Sequence, residues 1–327
     1  MTQVVFEDAT LKLDEGESLL DGLLRSGHEI AHGCKAGVCH SCLVAVDEGT
    51  VPAASQKGLN DAQTALGYML SCQCHPEDEI KVKRVDTAGQ LTQAEVIEKE
   101  WLNDQVIRLR LKAKLDYKPG QYVTLWKDAS LARSYSLASL PNKTSEDCSD
   151  DNELEFHIKV IEDGQFSQWV AKELSVSDNL FLQGPLGKCF YVAQTDQPLL
   201  LAAIGTGLAP IYGILNDALN QGHQGPIDLV VGAKQASNLY LVDELKTIAE
   251  QHSNVQLHFV VQSLEAEAGD LQQGDIYEYC KSTCPDMKGF KVYLCGADSF
   301  VKKLRKQCFL SGAGMGDIAA DVFLPAS

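Results

Sequence analysis

CKAGVCHSC, residues 34–42, places three cysteines within nine residues, and LSCQCHP, residues 70–76, supplies further thiols downstream. The spacing is Cys34-x4-Cys39-x2-Cys42, then Cys72 after 29 intervening residues. A 2Fe-2S cluster needs four thiolates, two on each iron, and one tight loop can supply three of them. Gly33, Ala36 and Gly37 are small, so backbone amides there can approach inorganic sulfide and donate to it. Zinc sites use cysteine pairs two to four residues apart, one pair for each half of the site, and three cysteines on one loop fit that poorly. A zinc knuckle and ordinary core cysteines are the alternatives.

Together with LSCQCHP, the first segment resembles the plant-type 2Fe-2S ferredoxins. Their Leu-x-Cys pattern selects Cys72, so the resemblance implies Cys34, Cys39, Cys42 and Cys72 as cluster ligands. On an extended strand residues 72 and 74 face the same way, which keeps Cys74 as a rival. His40, inside the loop, either tunes docking to a partner or is an exposed histidine with no role.

Beyond the cluster the 327 residues separate by texture into three segments. The first, to about residue 86, reads as a hairpin (VVFED, LKLDE), a short amphipathic helix (ESLLDGLLRSG), the cysteine loop and the strand CLVAVDEG. DTAGQLTQ, 86–93, reads as a linker. From about 94 to 192 alternation dominates in AEVIEKEWL, QVIRLRLKA, QYVTLW, SYSLAS, LEFHIKVI and NLFLQG. Strands at that density predict a small antiparallel barrel, with one helix, QFSQWVAKEL, and a solvated acidic loop, SEDCSDDNE. From 197 onward PLLLAAI, IDLVVGA, VQLHFVVQ and KVYLCG are buried-strand runs alternating with helices, the pattern of a parallel α/β sheet.

RSYS, 133–136, lies on a strand of the middle segment. A flavin needs a cation for its phosphates, a flat side chain against its ring and a hydroxyl near its reactive nitrogen. Arg133, Tyr135 and Ser136 offer those three, Arg133 and Tyr135 on one face. DGQFSQWV, 163–170, puts Gly164 before a helix whose first turn holds Ser167, and free amides at a helix start accept a pyrophosphate. The plain alternatives are a surface strand and an ordinary helix start. LLLAAIGTGLAPI, 199–211, is a strand, a glycine turn and a helix start, with Gly205 and Gly207 permitting close approach of a pyrophosphate and Pro210 early in the helix. Pro210 stands where the dinucleotide fingerprint has its third glycine.

These elements resemble the R-x-Y-S, G-x-x-S and G-T-G-x-A-P motifs of the ferredoxin–NADP reductase superfamily, over residues 94 to 327. The resemblance implies FAD on the barrel, held by Arg133, Ser134, Tyr135, Ser136, Gly164 and Ser167, with Lys159 nearby. It implies a nicotinamide nucleotide at Gly205, Thr206, Gly207 and Pro210, and Cys295 and Gly296 of YLCG beside the nicotinamide. It also implies Ser136 and Cys295 as the catalytic positions. Phe323 stands where the family often places a residue beside the flavin, or else packs into the core. The family often continues with prolines after Cys-Gly, where this chain reads ADSF, which leaves Asp298 unassigned. No arginine cluster follows the second strand in GAKQASNLYL, so NADH is expected, while Lys234 keeps NADPH open.

The expected architecture is α+β and α/β multidomain: a β-grasp ferredoxin over 1–88, a six-stranded antiparallel flavin-binding β-barrel over 93–193, and a parallel α/β nucleotide-binding domain over 197–327. A nicotinamide gives two electrons as hydride and an iron–sulfur cluster takes one, so the flavin must stand between them. The module order resembles reductase components of bacterial ring-hydroxylating dioxygenases and di-iron monooxygenases, which implies a terminal oxygenase or an intermediate ferredoxin as partner. A reductase for a non-oxygenase system such as deoxysugar formation, a simple flavin reductase, and a zinc-stabilised binding module are the other readings. Net charge is −17, which argues against nucleic acid and anionic membranes; the first segment alone holds 14 acidic against 7 basic side chains. MTQVVFEDAT lacks a signal peptide, and glycines, a threonine and a proline interrupt the apolar run 198–215. A cytoplasmic monomer without a membrane span is expected.

Overall fold

The computed structural model describes residues 2–85, 91–142, 151–263 and 271–324. Most of the expected linker, and the acidic loop up to residue 150, lie outside them.

The first module is a five-stranded sheet with a helix packed on it. Its elements are β1 (Thr2–Phe6), β2 (Ala9–Leu13), α1 (Leu19–Arg25), β3 (Leu43–Glu48), α2 (Asp61–Ala65), β4 (Tyr68–Leu70) and β5 (Ile80–Arg84). The order is β2-β1-β5-β3-β4, with β5 parallel to β1 and antiparallel to β3. Ser18 caps α1, its Oγ accepting from the Asp21 amide at 3.1 Å, a bond worth about 1 kcal/mol. Leu19, Leu20 and Leu23 are completely buried with Val4, Phe6 and Val82, which fixes the helix on the sheet.

The middle module comprises β6 (Thr92–Trp101), β7 (Val106–Ala113), β8 (Tyr122–Trp126), β9 (Ala132–Ser136), β10 (Asn152–Lys159), α3 (Gln165–Lys172) and β11 (Asn179–Leu186). Its six strands are antiparallel in the order β10-β7-β6-β11-β8-β9. The closed barrel expected from the sequence is not formed as a continuous ladder. The sheet ends approach where the Ala138 amide donates to the Glu155 carbonyl at 2.9 Å, while the Glu155 amide turns to Ser139 Oγ at 3.0 Å. A side-chain hydroxyl thus takes the place of a backbone acceptor, and the pairing goes no further.

The third module carries β12 (Leu199–Ile204), α4 (Leu208–Asn220), β13 (Ile227–Gln235), α5 (Val242–Gln251), β14 (Val255–Ser263), β15 (Leu271–Gln273), α6 (Ile276–Thr283), β16 (Lys291–Ala297), α7 (Asp298–Leu310) and β17 (Ile318–Phe323). All six strands run parallel in the order β15-β14-β13-β12-β16-β17. Leu199, Leu201 and Ala203 point into a core with α4 and α5, and Leu200 and Ala202 into a second core with α6 and α7. Covering both faces is what demands the near-continuous apolar strands seen in the sequence. The strand order reverses between β12 and β16, and ligands of such sheets bind at that crevice.

The middle and third modules meet over the second face of β10. Leu154, Phe156 and Ile158 fill the core, yet Glu155 and His157 are also buried. His157 Nδ1 lies 3.2 Å from Tyr240 Oη, and its Nε2 lies 2.9 Å from Glu155 Oε1. Arg110 pairs with Glu155 at 2.8 Å, and Arg108 bridges Glu155 at 3.4 Å and Glu244 of α5 at 3.5 Å. Burial works against the Glu155 carboxylate, but His157, Arg108 and Arg110 together hold it at about 2.

Candidate functional site

The loop 34–42 folds inward because three of its residues, Lys35, Gly37 and His40, adopt positive φ of 45°, 74° and 57°. That backbone aims the amides of Ala36, Val38 and Cys39 at Cys34 Sγ, at 3.3, 3.4 and 3.4 Å. Gly37 is required twice over, since a Cβ there would also lie 2.8 Å from Gln73 Cγ. The four thiols come as two contacting pairs, Cys34 with Cys39 and Cys42 with Cys72. The Cys39 contact, helped by the three amides, lowers the Cys34 thiol to about 5. Two thiols for each of two irons is the donor set of a 2Fe-2S cluster. Among the described residues no group of three His, Cys, Asp or Glu side chains is arranged around a single point.

Residues 71–73 form a 3-10 turn, not the extended strand on which positions 72 and 74 would share a face. Cys72 therefore turns to Cys42, with Gln73 Nε2 3.7 Å from its sulfur. Cys74 is fully buried in the module core, and burial raises its thiol to about 12. His40 is 8% exposed, which removes the reading of an idle surface histidine.

In the middle module β9 and α3 are joined by rings: the Tyr135 and Phe166 centroids are 5.6 Å apart, and those of Phe166 and Trp169 5.2 Å. The R-S-Y-S strand and the Gly164 helix start are thereby brought together. Gly164 caps α3, while the buried Ser167 hydroxyl donates to the Gly164 carbonyl at 3.1 Å and accepts from the Ile161 amide at 3.1 Å. Ser167 thus shapes the turn from within. Arg133 Nη1 donates to the His32 and Ala132 carbonyls at 2.6 and 2.7 Å. Lys159 is exposed at the end of β10.

Ser136 is buried, and its Oγ donates at 2.8 Å to Oδ2 of Asp321 on β17. Burial raises the Asp321 carboxyl to about 6, against the opposing effect of that bond. Sequence reasoning did not single out Asp321. Its importance comes from the β16–β17 register, which sets it opposite Cys295. Cys295 itself is completely buried, with its sulfur 3.8 Å from Cys189 Sγ. Val38 of the cluster loop, Tyr122, Gly187 and Cys189 of the middle module, and Asp321 and Leu324 line a cleft of about 280 Å³. Phe323, half-buried at the end of β17, is not among the lining residues.

The glycine turn after β12 sits against the end of β16. Gly205 has φ +55° with open space where a Cβ would stand, whereas a Cβ on Gly207 would lie 2.1 Å from the Cys295 carbonyl oxygen. Thr206 lies between them, and Pro210 is the third residue of α4. Gly296, at φ +143°, packs beneath Ile204. These are the two sides of the crevice where the strand order reverses, an open cradle of the kind a pyrophosphate occupies. Asp298 opens α7 and pairs with Lys302 at 2.8 Å, an ordinary helix-stabilising contact. Lys234 is exposed near the C-terminal end of β13.

The three modules define an iron–sulfur flavoprotein oxidoreductase of the NAD(P)H-dependent kind. Residues 5–77 match the 2Fe-2S iron-sulfur cluster binding domain, 93–191 the oxidoreductase FAD-binding domain and 201–306 the oxidoreductase NAD-binding domain. A reductase component of the naphthalene 1,2-dioxygenase/salicylate 5-hydroxylase systems from a Ralstonia species is 30% identical over 337 residues, covering 99% of each chain. The reductase component of the naphthalene 1,2-dioxygenase system of Pseudomonas putida is 29% identical over 318 residues, covering 95% of this chain and 94% of that protein. The same fold occurs in the ferredoxin reductase of carbazole 1,9a-dioxygenase, with a TM-score of 0.67, 21% identity, and coverage of 99% of this chain and 98% of that one. The chain belongs to the family of three-module ferredoxin–NAD(P)+ reductase components of oxygenase systems. No helix among the described residues is long and apolar enough to cross a membrane.

Proposed function

We propose that the chain carries electrons from NADH through FAD and a 2Fe-2S cluster to the terminal component of an oxygenase system, or to its intermediate ferredoxin. Each NADH yields NAD+ and a proton, and two acceptor molecules are each reduced by one electron. The flavin, when bound, supplies the conversion from a two-electron hydride to single electrons. The observation that carries this reading is the shared cleft, walled by the cluster loop at Val38, the flavin-module strand at Tyr122 and the third module at Asp321.

In this reading Cys34, Cys39, Cys42 and Cys72 hold the cluster. Arg133 uses only Nη1 in the bonds described above, and its remaining donors serve the flavin phosphates. Ser134 lies in the same strand, Tyr135 offers its ring, and Ser136 presents its hydroxyl with Asp321 behind it. Gly164 and the first turn of α3 offer backbone amides, Ser167 holds that turn, and Lys159 adds a positive charge nearby. Gly205, Thr206, Gly207 and Pro210 form the pyrophosphate cradle. Cys295 and Gly296 form its opposite wall, where Cys295 acts by packing against Cys189. Phe323, between Val322 and Leu324 of the cleft wall, takes the family's position near the flavin. GAKQASNLY, 232–240, carries one cation and no arginine, which favours NADH over NADPH.

The deciding experiment is an anaerobic NADH titration followed by visible absorption and low-temperature EPR. Bleaching of a flavin band with growth of a rhombic S = 1/2 signal is expected. A protein that shows neither, before or after dithionite, would end the proposal.

A further inference from the structure

β8 has two buried faces. Val123 and Leu125 point into the core of the middle module. The alternate positions, Tyr122, Thr124 and Trp126, all meet the first module. Tyr122 Oη donates to the Val38 carbonyl at 3.0 Å, Thr124 Oγ1 donates to the Cys39 carbonyl at 2.8 Å, and Trp126 packs with Ala31. The first module is therefore docked along one strand face, with Tyr122 and Thr124 on the loop proposed to hold the cluster and Trp126 on Ala31 just before it.

Thr124 differs from its neighbours in touching both sides. It is completely buried, pairs across the ladder with Ser134 of the R-S-Y-S strand, and lies hydroxyl to hydroxyl with it at 3.0 Å. A threonine hydroxyl has one proton to donate and can accept as well. The Cys39 carbonyl can only accept, so it takes the Thr124 proton, and Ser134 must be the donor to Thr124. The hydrogen bonds therefore run in one direction, from Ser134 to Thr124 to the backbone of Cys39.

We infer that Thr124 is a positioning residue for internal electron transfer, fixing the cluster loop against the flavin-binding strand and providing the hydrogen-bonded connection between them. The inference rests on the electron route proposed above. The step it serves moves one electron at a time: the flavin is oxidised by one electron, the cluster is reduced by one, and no heavy-atom bond forms or breaks. Electron tunnelling falls off exponentially with distance, so loosened docking is felt at this step before any other.

The test compares Thr124→Val, which keeps the shape and removes the hydroxyl, with Thr124→Ser, which keeps the hydroxyl. Each full-length holoprotein is mixed rapidly with NADH under anaerobic conditions, and flavin bleaching and the cluster EPR signal are followed in time. In Thr124→Val the cluster step should slow relative to flavin bleaching by about tenfold, the factor one hydrogen bond is worth, and Thr124→Ser should restore it. Hydrogen exchange of residues 38–40 should quicken in Thr124→Val alone, a readout that needs no turnover. Wild-type kinetics and wild-type exchange in Thr124→Val would each overturn the inference. Failure of the route itself would look different, because the wild-type protein would then show no cluster signal with NADH.

Discussion

Replacing Gly207 by alanine tests the proposed nucleotide cradle directly. Gly207 has φ −58° and ψ −15°, so alanine suits its backbone, and no conformational penalty is expected. The obstacle is contact: the new Cβ would lie 2.1 Å from the Cys295 carbonyl oxygen and 2.8 Å from the Gly296 nitrogen. Ordinary contact begins at 3.4 Å, so the turn must retreat from β16 by more than about 1 Å. A shift of that size at a substrate-positioning loop costs roughly a hundredfold, or about 2.7 kcal/mol. Overpacking should also lower stability by roughly 1–3 kcal/mol. Gly205→Ala is the contrast. Its new Cβ meets nothing within 4 Å, but its φ of +55° costs an L-residue about 1 kcal/mol, and the methyl enters the space offered to the pyrophosphate. Steady-state NADH–ferricyanide kinetics and thermal unfolding separate the two. Gly205→Ala should raise KM for NADH with a small loss of Tm. Gly207→Ala should lose kcat/KM about a hundredfold with a larger loss of Tm. A Gly207→Ala protein with kcat/KM within threefold of wild type and an unchanged Tm would refute the reasoning.

Cys72→Ser should abolish the dithionite-reduced EPR signal, whereas Cys74→Ser should keep it and lose roughly 1–3 kcal/mol of stability for burying an unpartnered hydroxyl; a normal signal in Cys72→Ser would reverse the ligand assignment. The folded Asp321 carboxyl sits at about 6 against an ordinary 3.8, so the fold favours its neutral form. Its penalty is therefore absent below 3.8, grows as pH rises from 3.8 to about 6, and is constant above that. Asp321→Asn should then gain on wild type by about 1 kcal/mol between pH 5 and pH 8, and Tm differences that do not vary with pH would contradict this. The first segment carries a net −7. Raising salt from 50 to 500 mM should therefore slow electron delivery to a protein partner several-fold while changing ferricyanide reduction less; equal sensitivity of the two would remove the acidic face from docking.

What the sequence made legible was local. Three thiols on one nine-residue loop favour a cluster by their spacing, and the loop folds around Cys34 through amides that belong to the same loop. The glycine turn after β12 is legible for the same reason, since Gly205, Gly207 and Pro210 lie within six residues. The rule of two failed at Cys72 and Cys74 because a 3-10 turn replaces the strand it assumes. The six antiparallel strands were legible, but their seam was not: beyond the Ala138–Glu155 bond the Glu155 amide turns to the Ser139 hydroxyl. Asp321 stayed hidden because a carboxylate in DVFLPAS means nothing until the β16–β17 register sets it opposite Cys295 and a second module brings Ser136 to it. β8 shows the same limit from the other side. Alternation in QYVTLW identifies a strand with two faces, yet Thr124 reads as the polar face of a surface strand. Only the docked cluster loop makes that face an interior, and an interior threonine must satisfy its hydroxyl. Several of the contacts that join modules are therefore made by residues whose local pattern says surface and whose burial says otherwise. Glu155, His157 and Thr124 share that contradiction, each with its polar atoms partnered across or along a module boundary.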